Sequence, residues 1–465
     1  MYKSTITVLA VALLSGCSMA PKYERPDASI SSTFAEYKGD QEQTTNISAS
    51  EISWKEFFKD PYLKNLIQIA LEHNADFQVS GLTVERMRAL YRIQRAEYLP
   101  SVNANGAGTR QRTPWDLNTS GQSITSNSYQ VGLGVSSYEL DFFGRITSLK
   151  NETLEQYLAS EEALKSAQIT LISTLANQYL AYLSLKEQYD LAAKTYDSAE
   201  QSYQLSLQTY SAGTTSELDL RTAQSQREAY RANLASVEEN LHQAKNALVF
   251  ILGTNLPEEP LNQSLKTQEL LKSIPEGLPS ELLNRRPDIL AAEHTLKAAN
   301  ANIGAARAAF FPSVRLTATG GTASADLDGL FKTDSGAWSF APQISIPIFQ
   351  GGRNKANLDA AKVAKRIEIV NYRKAIQNAF REVSDALAVK ASIDTRIDAQ
   401  RARTQAAQRR YDLSKQRYDA GVDSFVNLLL AQQELFAAEQ SLVSAKQEKL
   451  SNLVNLYTAL GGGWK

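Results

Sequence analysis

The sequence predicts an α+β membrane protein of two tandem structural repeats, each combining a β-hairpin with a long antiparallel helical hairpin. Three observations carry this reading. The chain resembles itself at a fixed spacing. Two long runs contain neither Pro nor Gly. Two Gly-, Ser-, Thr- and Asn-rich stretches alternate apolar and polar positions over the length of a tilted transmembrane strand.

The repeat is clearest where Ser202–Gly213 (SYQLSLQTYSAG) matches Arg410–Gly421 (RYDLSKQRYDAG) at seven of twelve positions, an offset of 208 residues. The same offset pairs Ala223-Gln224 with Ala431-Gln432, Gly144-Arg145 with Gly352-Arg353, and Leu252-Gly253 with Leu460-Gly461. With a small slip, Leu99-Pro100-Ser101-Val102 pairs with Phe311-Pro312-Ser313-Val314. This period is too long for a solenoid repeat. The expected division is a signal peptide over 1–16, an extended segment over 17–61, repeats over 62–253 and 280–461, a linker over 254–279 and a tail over 462–465.

Each repeat has the same order of parts. A helix of moderate length is expected over Tyr62–Glu97 and Ser280–Ala309. Each is followed by a polar, alternating stretch and then a long helical run, Ile146–Tyr210 or Asn354–Tyr418. Some 65 residues at ~1.5 Å each make a helix of roughly 100 Å. Turns at Gly213 and Gly421 send return helices back to stops near Gly253 and Gly461. Tyrosines recur every seventh residue from Tyr182 through Tyr189, Tyr196 and Tyr203 to Tyr210, with Ala192, Ala199 and Ser206 three positions after three of them. That alternation of large and small suits a coiled-coil seam in preference to a conducting stripe.

In the first polar stretch Val131, Leu133 and Val135 alternate with Gln130, Gly132, Gly134 and Ser136, and Val102, Ala104, Gly106 and Gly108 do so upstream; Thr113–Asn127 reads as the loop between them. In the second, Val314, Leu316 and Ala318 are expected to pair with Ile344, Ile346 and Ile348 across a loop at Ala325–Gly336. Two hairpins supply four strands, fewer than the eight or so a closed barrel requires, so a membrane barrel has to be shared between subunits.

Lys3 precedes an apolar stretch, Ile6–Leu14, too short to span a bilayer, and Leu14-Ser15-Gly16-Cys17 follows. The segment resembles a bacterial lipobox, which makes Cys17 the expected lipidated N-terminus; Ser18, not Asp, suits onward sorting to the outer membrane. Cys17 is the only cysteine, so intrachain disulfides and cysteine metal sites are excluded. With 49 basic and 50 acidic residues, nothing favours nucleic acid as a partner. His73, His242 and His294 lack metal or catalytic spacing, and no phosphate-binding or nucleophile motif occurs, so no enzyme activity and no cofactor is expected beyond the covalent lipid.

Several stretches resemble the TolC-like outer-membrane factor family, in its lipoprotein branch serving resistance-nodulation-division pumps. They are Pro21-Lys22-Tyr23-Glu24-Arg25-Pro26, Trp54–Pro61, Tyr138–Arg145, Leu278–Ile289 continuing through Ala298–Ala301 to Phe311–Ser313, and Ala459–Trp464. The resemblance implies a passive efflux channel in the bacterial outer membrane. It implies a homotrimer whose strands form one barrel and whose helices form a periplasmic tunnel. The implied partners are a periplasmic adaptor (membrane fusion) protein and an inner-membrane resistance-nodulation-division pump. It makes the helical turns the periplasmic gate, with Asp219 and Tyr418 at positions matching a closing polar network. Glu217, Arg417 and Asp423 join them as gate candidates, and Gly213, Thr214, Gly421 and Val422 are the candidates for adaptor contact. Asn427 and Leu430 stand where some members carry pore-ringing aspartates. A type I protein-secretion channel and a non-channel adaptor lipoprotein are the alternatives; paired membrane-length hairpins argue against the second.

Overall fold

A computed structural model describes residues 18–27, 51–258, 260, 263–268, 270 and 279–464. The signal segment, Cys17, Leu278, Lys465 and most of the linker lie outside the described residues. The chain divides into two compact units: Met1–Asp27, Val84–Ser160 and Ala292–Tyr372 form one, and Ala28–Thr83, Glu161–Ala291 and Arg373–Lys465 the other. Each draws on both sequence repeats.

The elements in order are α1 (Trp54–Phe57), α2 (Pro61–His73), α3 (Ala75–Ala96), β1 (Val102–Thr113), β2 (Ile124–Leu140), α4 (Arg145–Ser211), α5 (Glu217–Leu252), α6 (Pro279–Arg285), α7 (Pro287–Ala308), β3 (Ser313–Ser324), β4 (Gly336–Ser345), α8 (Arg353–Asp419) and α9 (Phe425–Ala459). The long helices α4 and α8 each run 67 residues, as the Pro- and Gly-free runs require. Among the described residues no helix is long and apolar enough to cross a membrane.

In the first unit the four strands form one antiparallel sheet in the order β1-β2-β3-β4, not two separate hairpins. The connection between the repeats is β2 against β3, with Gly132 opposite Gly321. A Cβ on Gly321 would fall 2.2 Å from the Val131 carbonyl oxygen, so this close approach excludes side chains. The partners of Val314, Leu316 and Ala318 are Ile344, Pro342 and Phe340. Strand β4 ends at Ser345, leaving Ile346 and Ile348 outside it, because Pro347 offers no N–H to continue the ladder. The loops are shorter than expected, 114–123 and 325–335, since the strands extend to Thr113, Ile124 and Gly336.

Strand β2 contains a bulge. The register passes from Val135 opposite Ala318 directly to Tyr138 opposite Leu316, and Ser137 has φ 58° with its N–H donated to Thr317 Oγ1. The inserted residue changes the phase of alternation, so Tyr138 and Leu140 share a face with Val131, Leu133 and Val135 despite their even numbering. The described N-terminal segment packs on α7 in the same unit. Asn300 donates to the Pro21 carbonyl at 2.8 Å and Arg307 to that of Met19 at 3.1 Å. Buried Glu293 accepts from Arg25, Tyr23 and Lys297. Burial opposes its charge, but Arg25 and Lys297 outweigh this and hold its carboxyl below the ordinary range.

The core of the second unit is built on the aromatic motif before α2. Phe57 and Phe58 are fully buried, and Phe57 stacks on Tyr457 at 4.0 Å. Tyr457 donates to the Ile52 carbonyl at 2.6 Å. Ile376, Ala379, Val383, Ala386, Ile393 and Ile397 of α8 are buried at heptad spacing. In α4 the buried seam is Ala192, Ala199 and Ser206; Tyr182 is buried with them, Tyr189, Tyr196 and Tyr203 are half-buried and Tyr210 is exposed.

Both moderate helices break, α2/α3 at Asn74 and α6/α7 at Arg286 before Pro287. The two breaks do the same work. Asn74 Nδ2 donates to the Ile251 carbonyl at the end of α5, and Arg286 Nη1 to the Ala459 carbonyl at the end of α9, each at 2.8 Å. These acceptors lie 208 residues apart, and each side chain satisfies a carbonyl the helix itself cannot. Gly253 follows α5 with φ 70°, and a Cβ there would meet the His73 carbonyl oxygen at 2.3 Å. At the exposed turn, Gly213 has φ 75° but open space around it.

Two stability outcomes are expected. Gly253→Ala should destabilise by several kcal/mol, combining positive φ with a backbone collision, whereas Gly213→Ala should cost only ~1–2 kcal/mol; thermal unfolding by circular dichroism compares them. Ser137→Gly should be neutral or stabilising by up to ~1 kcal/mol, and Ser137→Val destabilising by at least as much. Equal stability of both Ser137 variants would show that the bulge does not hold that backbone conformation.

Candidate functional site

The sheet has two chemically different faces. On one, Val102, Ala104, Gly106 and Gly108 stand opposite Val135, Leu133, Val131 and Tyr129, continued across β3 to Ile344, Phe340 and Trp338 of β4. These large apolar side chains are exposed, Trp338 to 83% and Ile344 to 66%, so the face needs an apolar surrounding. Tyr129 and Tyr138 bracket roughly 30 Å of strand, and a tilt of about 40° leaves a band a little over 20 Å tall, near that of transmembrane barrels.

The opposite face carries Asn103, Asn105, Thr109, Gln111, Gln130, Thr317, Thr319, Ser339 and Gln343, with Thr319 Oγ1 bonded to Ser339 Oγ at 2.6 Å. Its charges are Glu139 and Arg315, in register with each other. Arg145 holds Glu139 bidentately at 2.7 and 2.9 Å, and Arg315 approaches at 3.8 Å. Asp141 caps the start of α4, accepting from the Ile146 and Thr147 N–H groups at 3.0 and 2.7 Å. This Glu-x-Asp…Arg arrangement was present in the Tyr138–Arg145 stretch, but its roles were not assigned from sequence. Among the described residues, strands β1 and β4 are the free edges of the sheet, 12 and 10 residues long.

The helical turns lie in the second unit. In the first turn, Ser216 and Asp219 cap α5 reciprocally: the Asp219 N–H donates to Ser216 Oγ at 3.1 Å, and that hydroxyl to Asp219 Oδ2 at 2.7 Å. Glu217 pairs with Arg221 of its own helix at 3.3 Å. Thr214 donates its N–H to the Thr209 carbonyl at 3.0 Å, beside Gly213. In the second turn Arg417 pairs with Asp423 at 3.1 Å, and Asp423 Oδ1 also accepts from the Asn427 amide at 2.6 Å and the Ser424 N–H at 2.8 Å. Hydrogen bonds from Asn427, from the Ser424 backbone and from Arg417 hold the Asp423 carboxyl below its ordinary value. Gly421, with φ 71°, makes the turn, and Val422 beyond it is 66% exposed.

Most candidate charges are therefore paired inside their own turn: Arg417 does not reach Glu217 or Asp219 among the described contacts of this chain. The two turns are linked instead through Tyr418. Its ring lies 5.4 Å from that of Phe425 within a cluster holding Ala223, Leu428 and Leu429. Its phenol is pushed up by burial and by the negative charges of Asp219 and Asp419. Asn427 is a donor to Asp423 and so supports the carboxylate of its own turn. Sequence reading missed Arg227, which stacks on Tyr203 at 4.3 Å and bridges Glu200 at 3.7 Å and Glu228; the heptad tyrosines were the available signal.

Comparison with known proteins follows the same features. Residues 66–254 and 278–462 match the family described as Outer membrane efflux protein. The chain is 42% identical over 466 residues to the probable efflux pump outer membrane protein TtgC of Pseudomonas putida, covering 100% of this chain and 96% of TtgC. It is 42% identical over 461 residues to the outer membrane protein OprJ of Pseudomonas aeruginosa, covering 99% and 96%. Its fold superposes on the open state of the Neisseria gonorrhoeae MtrE outer membrane channel with a TM-score of 0.87 at 40% identity, over 97% of this chain and 99% of that one.

The Asp423 contacts set a pH expectation. A carboxylate depressed in the folded state contributes above its unfolded pKa, and its contribution is lost as pH falls through the lower folded value. Carboxyl-resolved NMR titration should therefore place the Asp423 midpoint below 3.8, its ordinary value. Asn427→Ala should move that midpoint upward, since its amide hydrogen bond is the largest cause.

Proposed function

Since the chain belongs to the outer membrane efflux protein family and is an outer-membrane efflux channel, we propose that it works as a lipid-anchored homotrimer, the passive exit duct of a tripartite pump. The observation that carries this reading is the sheet: four strands, two free edges, one apolar face and one neutral polar face. Free edges are not tolerated in hydrocarbon, and four strands cannot close on themselves. Three copies supply twelve strands, with the apolar faces toward lipid and the polar faces lining water. The long helical hairpins continue the duct through the periplasm.

Transport needs no reaction at such a wall, which carries amides, hydroxyls and one compensated ion-pair cluster. A periplasmic adaptor and an inner-membrane resistance-nodulation-division pump are its partners, and the relatives named as efflux pump outer membrane proteins support that assignment. The exposed tip residues Gly213, Thr214, Gly421 and Val422 are the surfaces for the adaptor. Leu14-Ser15-Gly16-Cys17 supports a lipid on Cys17. Closure at the turns rests on Asp219 against Tyr418 and on the Arg417–Asp423 pair, with Glu217 at the same tip; exposed, solvent-screened contacts of this kind are weak enough to yield to a partner.

The test is the mass of the detergent-solubilised protein together with single-channel conductance in planar bilayers. A trimer with a conducting pore is expected. A monomer with full β content would refute the shared barrel. Asp219→Ala and Asp423→Ala, singly and together, should raise conductance; unchanged conductance with the trimer intact would place the gate elsewhere. Leu133→Lys should impair insertion by ~2–4 kcal/mol.

A further inference from the structure

The outward face of β1 does not remain apolar to its end. After Val102, Ala104, Gly106 and Gly108, the next two positions on that face are Arg110 and Arg112, opposite Asn127 and Thr125 of β2. The face is fixed by contact geometry: a Cβ on Gly106 would meet Val131 Cγ2 at 3.7 Å, and one on Gly108 the Tyr129 ring at 3.2 Å. Strict alternation then places both arginines on Tyr129's side of the sheet. Both are exposed, and neither has an ion pair or side-chain hydrogen bond among the described residues.

The end of the sheet on which they sit is also defined. Helices α3, α4, α7 and α8 all adjoin the opposite ends of the strands, while among the described residues the arginine end is closed only by the loops 114–123 and 325–335. In an outer-membrane channel with periplasmic helices, that end meets the outer leaflet. Aromatic residues such as Tyr129 mark headgroup level in membrane barrels. Arg110 and Arg112 follow it by one and two alternate positions, about 7 Å of strand each. A guanidinium fork at that depth matches a phosphate oxygen pair, and the Asn127 amide and Thr125 hydroxyl on the same face suit saccharide hydroxyls.

We propose that Arg110 and Arg112 of each protomer form a binding site for the phosphorylated saccharide headgroup of an outer-leaflet lipid. The site rests on the outer-membrane channel reading above, and it assigns a lipid ligand to a surface that conduction does not use. It accounts for two uncompensated cations on the lipid-facing side, where charge on a barrel is otherwise costly until the interface is reached.

The experiment measures retention of bis-phosphorylated lipid A by the purified full-length protein in detergent, using native mass spectrometry, beside dephosphorylated lipid A and phosphatidylethanolamine. The wild type should retain lipid A in a phosphate-dependent manner, and Arg110→Gln/Arg112→Gln should weaken retention about tenfold or more, as loss of charge-assisted hydrogen bonds implies. A Lys355→Gln/Lys374→Gln protein, with the same charge loss on exposed helix positions, should bind as wild type. Equal retention by the arginine variant, or equal binding of dephosphorylated lipid, overturns the site. Loss of the oligomer without phosphate dependence also overturns it and assigns the arginines to contact between copies. Conductance separates the two readings: a conducting arginine variant with unchanged lipid retention sinks this site alone, whereas a wild type that neither inserts nor conducts sinks the channel reading beneath it.

Discussion

Backbone hydrogen bonding in hydrocarbon is the constraint on which the rest of this molecule depends. Every N–H and C=O that enters a bilayer must find a protein partner, and β1 and β4 each present one side without one among the described residues. The sequence answers with faces that cannot both be buried in a soluble core: exposed Trp338, Phe340 and Ile344 on one side, amides and hydroxyls on the other. A soluble hairpin would bury one face on a core. Here the apolar face is exposed in the single chain, so that face and the open strand edges both call for surroundings that the described residues do not supply. The close passage of Gly132 against Gly321 lets the two repeats join as one sheet, so each chain contributes a continuous wall.

Duplication shaped the second unit in a complementary way. Asn74 and Arg286 stand at equivalent breaks and satisfy equivalent carbonyls, Ile251 and Ala459, with different chemistry. The arginine version adds ion pairs to Asp288 and Glu382 at 2.7 and 2.8 Å, and burial opposes its charge while those carboxylates restore it. The two turns have diverged likewise. One is closed by a Ser216–Asp219 cap, the other by an Asp423 network of three donors. Two unlike copies in one chain give two helical hairpins that are not interchangeable.

Much of this was legible in the sequence for identifiable reasons. The absence of Pro and Gly over 65 residues dictates α4 and α8, and the 208-residue offset reveals that the turns at Gly213 and Gly421 correspond. The breaks at Asn74 and Arg286 were not read, although both carry a local signal: Pro287 marks the second, and Asn74 is an N-cap residue type that accepts the Phe77 N–H at 2.9 Å, its bond to the Ile251 carbonyl being the part that only the tertiary structure shows. The bulge was legible in principle, because the apolar positions change from odd at Val135 to even at Tyr138 and Leu140. The pairing of β2 with β3 was not, since register between distant strands depends on contacts that no local pattern encodes. At the tips, residue types pointed to the right turns, but pairing of Arg417 with Asp423 in its own turn and of Glu217 with Arg221 depends on side-chain geometry.

The neutral polar face of the sheet has a kinetic meaning. A solute passing Asn103, Thr319 or Gln343 exchanges hydrogen bonds with water for hydrogen bonds of similar strength with amides and hydroxyls. The free-energy profile along such a wall is shallow, with no deep well to hold a cation, an anion or an oily molecule in place. Residence times are short for chemically unrelated solutes, and leaving is as easy as entering. Direction has then to be imposed where energy is consumed, since a wall of this kind favours neither entry nor exit.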